Sequence, residues 1–577
     1  MKIEIAKTAG FCMGVRRAVE LALASPGKYA LPIFTYGPLI HNPQVLSLFV
    51  EKGITILNEI PEKGEGTVLI RAHGVPPADK QKLADAGFTV VDATCPRVIR
   101  VQTIIRTHAR KGFSTIIVGD QDHPEVVGLM GYAGTSGYGV STLSELEALA
   151  SFDRAIIVAQ TTQNLQFYEQ VKAWAARQHP HYRTFDTICD STERRQSEIQ
   201  RLAKEVDALI VVGGRQSGNT RRLAEIAAET GKPAFHVETE ADLVHCPLGL
   251  FRTIGITAGA STPNWIIKRV CRKVEWLSVS RKNDFPGLIS RSLQSLMLSN
   301  IYLAMGAGCL TFACSRLLGT QAVAAPVMMA MLYLFSMHLL NHLTGTAEDK
   351  YNDPERARFY ETHRIGLSVL AAAAGTGGIA VSATLGVSAF VILLIMSLLG
   401  LSYSLYLIPP GKGFKFRRIK DIPGSKTILI ALAWGVVTVL LPAMSDMRRF
   451  SSLIPGVLVV FPWVTALVFS RTALFDLLDV QGDRIVGKET LPTLLGDRRT
   501  LVLLKGILAA CTVLIALSAA VGLTSTLGFL LTLCPAMMLV LVMIHEQGEL
   551  LPGMRFEVLV ESIFPLSGVL AWIWMLF

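Results

Sequence analysis

The sequence predicts two folds in series: an α/β unit over residues 1–283 and an all-α transmembrane bundle over residues 295–577, with a linker at 284–294. Three observations predict this division. Hydrophobic residues make up 51% of the 577-residue chain but are unevenly spread. In the first half, short apolar runs of strand length alternate with helix-like segments, the βα pattern of a largely parallel sheet architecture. From about residue 295 onward, apolar runs long enough to cross a bilayer recur. The stretch SVSRKNDFPGLISRS, residues 278–292, marks the change.

The opening MKIEIAKTAGFC alternates like a strand and has neither an uninterrupted apolar core nor a small-residue cleavage site. It is not expected to be a secretory signal, so the first half is expected in the cytoplasm. Nine cysteines without a dense framework fit a reducing compartment and not a disulfide scaffold. The formal charge of +10 is traced in large part to membrane-flanking loops such as PPGKGFKFRRIKD, where it encodes topology and not nucleic-acid binding.

Eight runs are expected as strands of the first half: KIEIA, PIFTY, TVLIRA, FTVVDA, STIIVG, RAIIVA, ALIVVG and TIGITA. In parallel α/β folds ligands collect beyond the carboxyl ends of strands. The residues found there are His41, His73, Cys95, His123, Glu125, Thr161, Thr162, Ser217, Asn219, Ser261 and Thr262. Imidazolium, hydroxyl and amide donors suit phosphate oxygens. Ser217 to Thr220 and Ser261 to Pro263 also precede apparent helix starts, where backbone N–H groups favour an anion. A diphosphate is therefore the expected ligand, and Glu125, close in sequence to His123, is the candidate proton donor.

Cys12, Cys95 and Cys189 each stand just beyond a β-type run, in GFCMGVRRA, VVDATCPRV and TFDTICDST. Together they offer three thiolates for one metal centre. Closed zinc sites and purely electron-carrying clusters usually take four protein ligands. Three ligands fit either a cluster with one iron open for chemistry or a structural zinc site without redox function. Cys246, Cys271 and the membrane-half cysteines read as buried inert thiols.

With GFCMGVRRA, IHNP, RAHGVPP, DATCP, DHPEV, AQTT, TICDSTERRQ and TAGAST in order, residues 1–280 resemble the hydroxymethylbutenyl diphosphate reductase family (IspH/LytB). The resemblance implies a three-lobed fold around a 4Fe-4S cluster ligated by Cys12, Cys95 and Cys189. It implies reductive dehydroxylation of 4-hydroxy-3-methylbut-2-enyl diphosphate to isopentenyl and dimethylallyl diphosphates, with a ferredoxin or flavodoxin as electron donor. His41, His73, His123, Ser217, Asn219 and Ser261 would hold the diphosphate, Glu125 would deliver protons, and Thr161 would sit beside the substrate hydroxyl. One departure is Gly218, where that family usually has a second serine; weaker diphosphate binding is expected from it.

In the second half nine spans are expected, at about 297–316, 321–341, 365–384, 386–408, 426–444, 453–474, 501–522, 526–544 and 556–576. Lys412, Lys415, Arg417, Arg418 and Lys420 place the loop at 409–425 on the cytoplasmic side, whereas Arg448 and Arg449 fall outside. In FDLLDVQGDRIVGKETLPTLLGD, Asp476, Asp479 and Asp483 recur at helical spacing, and one face of carboxylates suits a Mg²⁺ that bridges to a diphosphate. This loop, with its TLPxxLG tail, resembles the second aspartate motif of the UbiA family of intramembrane prenyltransferases. The first motif of that family is thinned here: NHLTGTAEDKYNDPER keeps Asn341, Asp349, Lys350, Asn352, Pro354 and Arg356, but His342 and Gly345 stand where aspartates are expected. The resemblance implies a membrane domain that either transfers or binds prenyl groups with Mg²⁺, the alternative being a catalytically inactive module that anchors the reductase to lipid or a partner.

Overall fold

The computed structural model describes residues 2–280, 285–320, 324–344, 352–402, 424–446, 449–486, 490–547 and 554–577. The chain divides into two compact units, Met1–Ser278 and Val279–Phe577. Residues 285–294, expected as a linker, lie within a helix at Phe285–Leu298.

The first unit contains three four-stranded sheets, all parallel. The strands are β1 (Lys2–Ile5), β2 (Ile33–Tyr36), β3 (Ile54–Leu57), β4 (Thr67–Ile70), β5 (Thr89–Asp92) and β6 (Ser114–Val118). They continue with β7 (Gly137–Val140), β8 (Ala155–Ala159), β9 (Arg183–Thr184), β10 (Ala208–Val212), β11 (Ala234–Val237) and β12 (Thr253–Ala258). The sheet orders are β1-β12-β10-β11, β3-β2-β4-β5 and β7-β6-β8-β9. All eight expected runs are strands. Of the remaining four, β3, β7 and β11 were not expected and β9 answers only to the short β-type run before Cys189; all four are edge strands. An edge strand has one neighbour and one open side, so its residues need not be continuously apolar: β9 is exposed at both positions, whereas β8 and β10 are buried throughout.

Each sheet lies between helices, and the buried runs TVLI, AIIVA and ALIVV form the centres of separate small cores. In every sheet the inner strands run directly into polar loops and then into a helix. The ends of three four-stranded sheets thereby supply one site.

The second unit is helical. Among the described residues, eight helices are long and apolar enough to cross a membrane: Ile301–Leu318, Ala324–Thr344, Arg364–Thr384, Ser425–Met444, Phe450–Val480, Asp497–Ala520, Leu527–Gln547 and Phe556–Trp574. The expected span at 386–408 is represented by the shorter apolar helix Val387–Ser402; residues 403–408 lie outside the described residues, as do the five basic residues at 412–420 that were expected on the cytoplasmic side. Trp434, Trp463, Phe556 and Phe564 are fully buried in one extended apolar core. Many leucines, isoleucines and valines on the outer faces stay exposed, among them Ile365, Val387 and Leu458, as a bilayer-facing surface requires.

Candidate functional site

All three cysteines occupy the residue that caps a helix N-terminus. Cys12 precedes Met13–Ala24, Cys95 precedes Pro96–Ala109 and Cys189 precedes Asp190–Glu205. Their strands, β1, β5 and β9, are each an edge strand of a different sheet. A cap position exposes sulfur to free backbone N–H groups and to the positive end of the helix dipole. The Cys12 sulfur accepts from the Val15 N–H at 3.5 Å. Burial pushes the Cys95 thiol up, bonds from the Arg97 and Val98 amides pull it back, and Cys12 and Cys189 raise it as close negative neighbours. Gly14 is required by this convergence, because a Cβ there would lie 2.4 Å from the Cys95 sulfur.

The inner strands supply the rest. β2 leads to His41, β4 to His73, β6 to His123 and Glu125, β8 to Thr161, β10 to Ser217 and Asn219, and β12 to Ser261. All of these line one cavity of about 90 Å³ together with the three cysteines. Of the strand-end candidates of the first unit, Thr262 alone does not line this cavity; its Oγ1 donates to the Val212 carbonyl at 3.0 Å instead.

The three imidazoles form a triangle, with ring centroids 4.8, 5.8 and 5.3 Å apart. One nitrogen from each lies within 4.8 Å of the other two, close enough to share a ligand. His123 Nδ1 accepts from the Glu125 N–H at 3.1 Å, which leaves Nε2 as the protonated nitrogen of its neutral ring. The sequence reading expected imidazolium donors; the protein's own environment instead favours neutral rings. Burial lowers His41, lowers His73 well below its ordinary value and brings His123 to about 4, with neighbouring positive charges adding to each. His41 Nε2, His73 Nδ1 and Asn219 Nδ2 are buried without a hydrogen-bond partner among the described residues. Buried polar atoms are ordinarily satisfied, so these three, on residues that line the cavity, are available to a ligand.

Ser217 caps the helix Gly218–Glu229 and accepts from the Thr220 N–H at 3.4 Å. Ser261 Oγ donates to the His41 carbonyl and to Ser217 Oγ, both at 3.2 Å, and ties two sheets together at the cavity wall. Gly213, at φ +146°, permits the tight turn before this helix; a Cβ would meet Thr262 Oγ1 at 2.4 Å.

Glu125 is 1% exposed. Its carboxylate accepts from the Thr161 N–H at 2.7 Å and from Thr161 Oγ1 at 2.9 Å. Burial drives its pKa up to about 7, and the two bonds from Thr161 offset part of that rise. A carboxyl that titrates near neutrality inside a cavity can give up a proton there. Cys271, read as inert, is buried on another helix, and burial pushes its thiol up.

In the second unit Asp476 and Asp483 are buried on the helix Phe450–Val486, with Asp479 between them half-buried. Thr427 Oγ1 donates to Asp476 Oδ2 at 2.6 Å, and Asn352 Nδ2 donates to Asp483 Oδ1 at 3.1 Å. The second bond joins the two aspartate-motif regions across 131 residues. His342 packs its ring 5.2 Å from Tyr360. Asp349 lies outside the described residues. Thr427 carried no signal in the sequence, being one hydroxyl in an apolar run.

The first unit is thus a cysteine-centred α/β enzyme domain with a polar anion cradle, followed by a polytopic membrane unit. A family model described as "LytB protein" matches residues 3–275, and one described as "UbiA prenyltransferase family" matches residues 301–548. The chain is 38% identical over 289 residues to the 4-hydroxy-3-methylbut-2-enyl diphosphate reductase of Opitutus terrae, covering 48% of this chain and 100% of that protein. It is 43% identical over 284 residues to the reductase of the same name from Solidesulfovibrio magneticus, covering 48% and 99%. A solved structure of (E)-4-hydroxy-3-methyl-but-2-enyl diphosphate reductase shares 39% identity, with 48% of this chain and 99% of that chain covered and a TM-score of 0.38. A UbiA homolog from Archaeoglobus fulgidus, bound to GPP and Mg²⁺, shares 13% identity over 49% of this chain and 99% of that one, with a TM-score of 0.35. The chain belongs to the LytB protein family. Membership implies an iron-sulfur cluster.

Proposed function

We propose that the first unit reduces 4-hydroxy-3-methylbut-2-enyl diphosphate to isopentenyl and dimethylallyl diphosphates, and that the second unit anchors it in a membrane and binds a prenyl diphosphate. The observation that carries the reading is the convergence of three helix-capping cysteines, three buried histidines and the Glu125–Thr161 pair on one cavity.

Cys12, Cys95 and Cys189 fit the cluster that family membership implies, because their sulfurs share a cavity wall and each sits at a helix N-terminus. A 4Fe-4S cluster held there supplies electrons one at a time. Replacing a C–O bond by C–H consumes two electrons and two protons and releases water. Glu125, whose burial favours the protonated form, delivers both protons in turn: the first passes through Thr161 Oγ1 to the leaving hydroxyl, which departs as water, and the second, once Glu125 is reprotonated from solvent, completes the new C–H bond. His41, His73, His123, Asn219, Ser217 and Ser261, which line the same cavity, bind the diphosphate. Its charge favours protonation of the imidazoles, so binding and proton uptake are coupled.

The electron donor is a ferredoxin or flavodoxin type of protein, and the reductase unit faces the cytoplasm where such donors are found. In the second unit, Asp476, Asp479 and Asp483 would hold Mg²⁺; Asp349, the fourth carboxylate of the expected set, lies outside the described residues. His342 and Gly345 leave this site short of carboxylates, which favours binding over turnover. The Asn352–Asp483 bond supports a site assembled from both motifs.

The test is product analysis with the full chain purified anaerobically in detergent and supplied with a chemical reductant. Both five-carbon diphosphates are expected, and their absence from an iron-loaded preparation would refute the reductase reading. For the second unit, residues 279–577 are offered prenyl diphosphates of graded length with Mg²⁺ and an acceptor panel. Binding without turnover is expected; turnover would replace the binding role by prenyl transfer.

A further inference from the structure

Three arginines without a role in the proposed chemistry form a closed ring around the cysteines. Arg17, on the helix capped by Cys12, donates Nη1 to the carbonyl of Thr94, the residue before Cys95, at 3.1 Å. Arg97, on the helix capped by Cys95, pairs with Asp190, the residue after Cys189, at 2.6 Å. Arg195, on the helix capped by Cys189, donates Nη2 to the carbonyl of Gly10, two residues before Cys12, and Nη1 to Ser191 Oγ. Each cysteine's helix therefore reaches a residue within two positions of the next cysteine, in cyclic order.

Two of the clasps are at the surface. Arg17 is exposed, and both partners of the Arg97–Asp190 pair are too, so water and salt weaken their contribution. Arg195 is different. It is 3% exposed, and its Nε is buried with no hydrogen-bond partner among the described residues. A buried guanidinium is costly unless an anion lies close by. Burial works against its charge, while Cys12, Cys189 and Glu198 favour it. Glu198 is already engaged: it accepts from the Lys7 N–H at 2.7 Å, the Thr8 N–H at 2.8 Å and Thr8 Oγ1 at 2.5 Å. Arg195 and Glu198, three residues apart on one helix face, thus grip residues 7–10 at two points.

We infer that Arg195 is a positioning residue for the three-thiolate centre: it clasps the Cys12 loop to the Cys189 helix and places a buried positive charge beside two of the three sulfurs. This rests on the reading of Cys12, Cys95 and Cys189 as the cluster ligands. A fixed cation favours the more negative, reduced state of the centre and opposes the loop opening through which metal is lost.

The test uses the full chain, purified anaerobically in detergent, with two readouts: the midpoint potential from a redox titration followed by electron paramagnetic resonance, and the rate of iron loss to a chelator. Arg195→Met is expected to weaken electron affinity about tenfold, a fall of about 59 mV for a one-electron couple, and to speed iron loss about tenfold. Arg195→Lys keeps the charge but loses the fork, so its potential stays at the wild-type value while iron loss is severalfold faster. Arg106→Met, at an exposed position on the Cys95 helix, leaves both readouts unchanged. Wild-type potential and wild-type retention in Arg195→Met would overturn the inference. If that variant does not fold, Arg195→Lys decides, and iron retention equal to the wild type would overturn it. If Cys12→Ser keeps the full chromophore, the ligand reading itself fails and the inference falls with it. A chromophore that needs all three cysteines but is indifferent to Arg195 refutes the inference alone.

Discussion

Glu125→Gln separates proton delivery from every other task of the site. Gln has the same shape, its Oε1 can still accept from the Thr161 N–H, and its amide can donate to Thr161 Oγ1. What disappears is the titrating proton. Proton transfer from a positioned side chain contributes on the order of 10²–10⁴ in rate, and a loss of that size is expected in kcat while cluster content stays unchanged. Stability should move the other way. Lifting the carboxyl from 4.5 to about 7 corresponds to roughly 3 kcal/mol, because each unit amounts to about 1.4 kcal/mol. The folded-state value lies above the unfolded one, so this contribution is fully present below pH 4.5 and is lost as pH rises through 7. Urea unfolding of residues 1–278 at pH 4.5 and pH 8 should show the variant gaining roughly 3 kcal/mol on the wild type between the two. The histidines titrate alike in both proteins and cancel in the difference. Turnover within tenfold of the wild type, or a stability difference that does not depend on pH, would refute this account of Glu125.

Three further outcomes follow from the geometry. Gly218→Ser adds a Cβ 3.3 Å from the His123 ring, a tight but accommodable approach, and the new hydroxyl should tighten inorganic diphosphate binding about tenfold in calorimetric titration. Binding of inorganic diphosphate at pH 6.5 should take up protons, visible as a dependence of the measured heat on buffer ionisation enthalpy, because burial holds the His41, His73 and His123 pKa values low and an anion raises them. Reduced uptake in His73→Gln would tie the effect to the triad. Asp483→Ala removes the acceptor of Asn352 and should weaken geranyl diphosphate binding at least tenfold in the presence of Mg²⁺, with reductase turnover unchanged.

The site was legible in the sequence because parallel sheets deliver their functional residues at a fixed place, the end of a strand, and the eight most apolar runs were enough to find those ends. The edge strands β3, β7 and β11 were not legible, and β9 only as a short run before Cys189, since a strand open on one side needs no continuous apolar run. Protonation states were also out of reach. His41, His73 and His123 come from the ends of β2, β4 and β6 in two different sheets, and only their assembly in one buried triangle sets their charge. The same holds for Glu125, whose loop position in the sequence concealed full burial, and for Arg195, whose partner Gly10 lies 185 residues away. In the second unit the carboxylate spacing identified Asp476, Asp479 and Asp483, but Thr427 and Asn352 became their partners through helix packing that no local pattern encodes.

The central claim is that three cysteines from three sheets hold one iron-sulfur centre. The most direct measurement is iron and sulfide content, with the visible chromophore, of the anaerobically purified full chain beside its Cys12→Ser, Cys95→Ser, Cys189→Ser and Cys246→Ser variants. A chromophore in the wild type and in Cys246→Ser, lost or strongly diminished in each of the other three, is the predicted result. Zinc in place of iron, or a chromophore indifferent to any one of Cys12, Cys95 and Cys189, would contradict it.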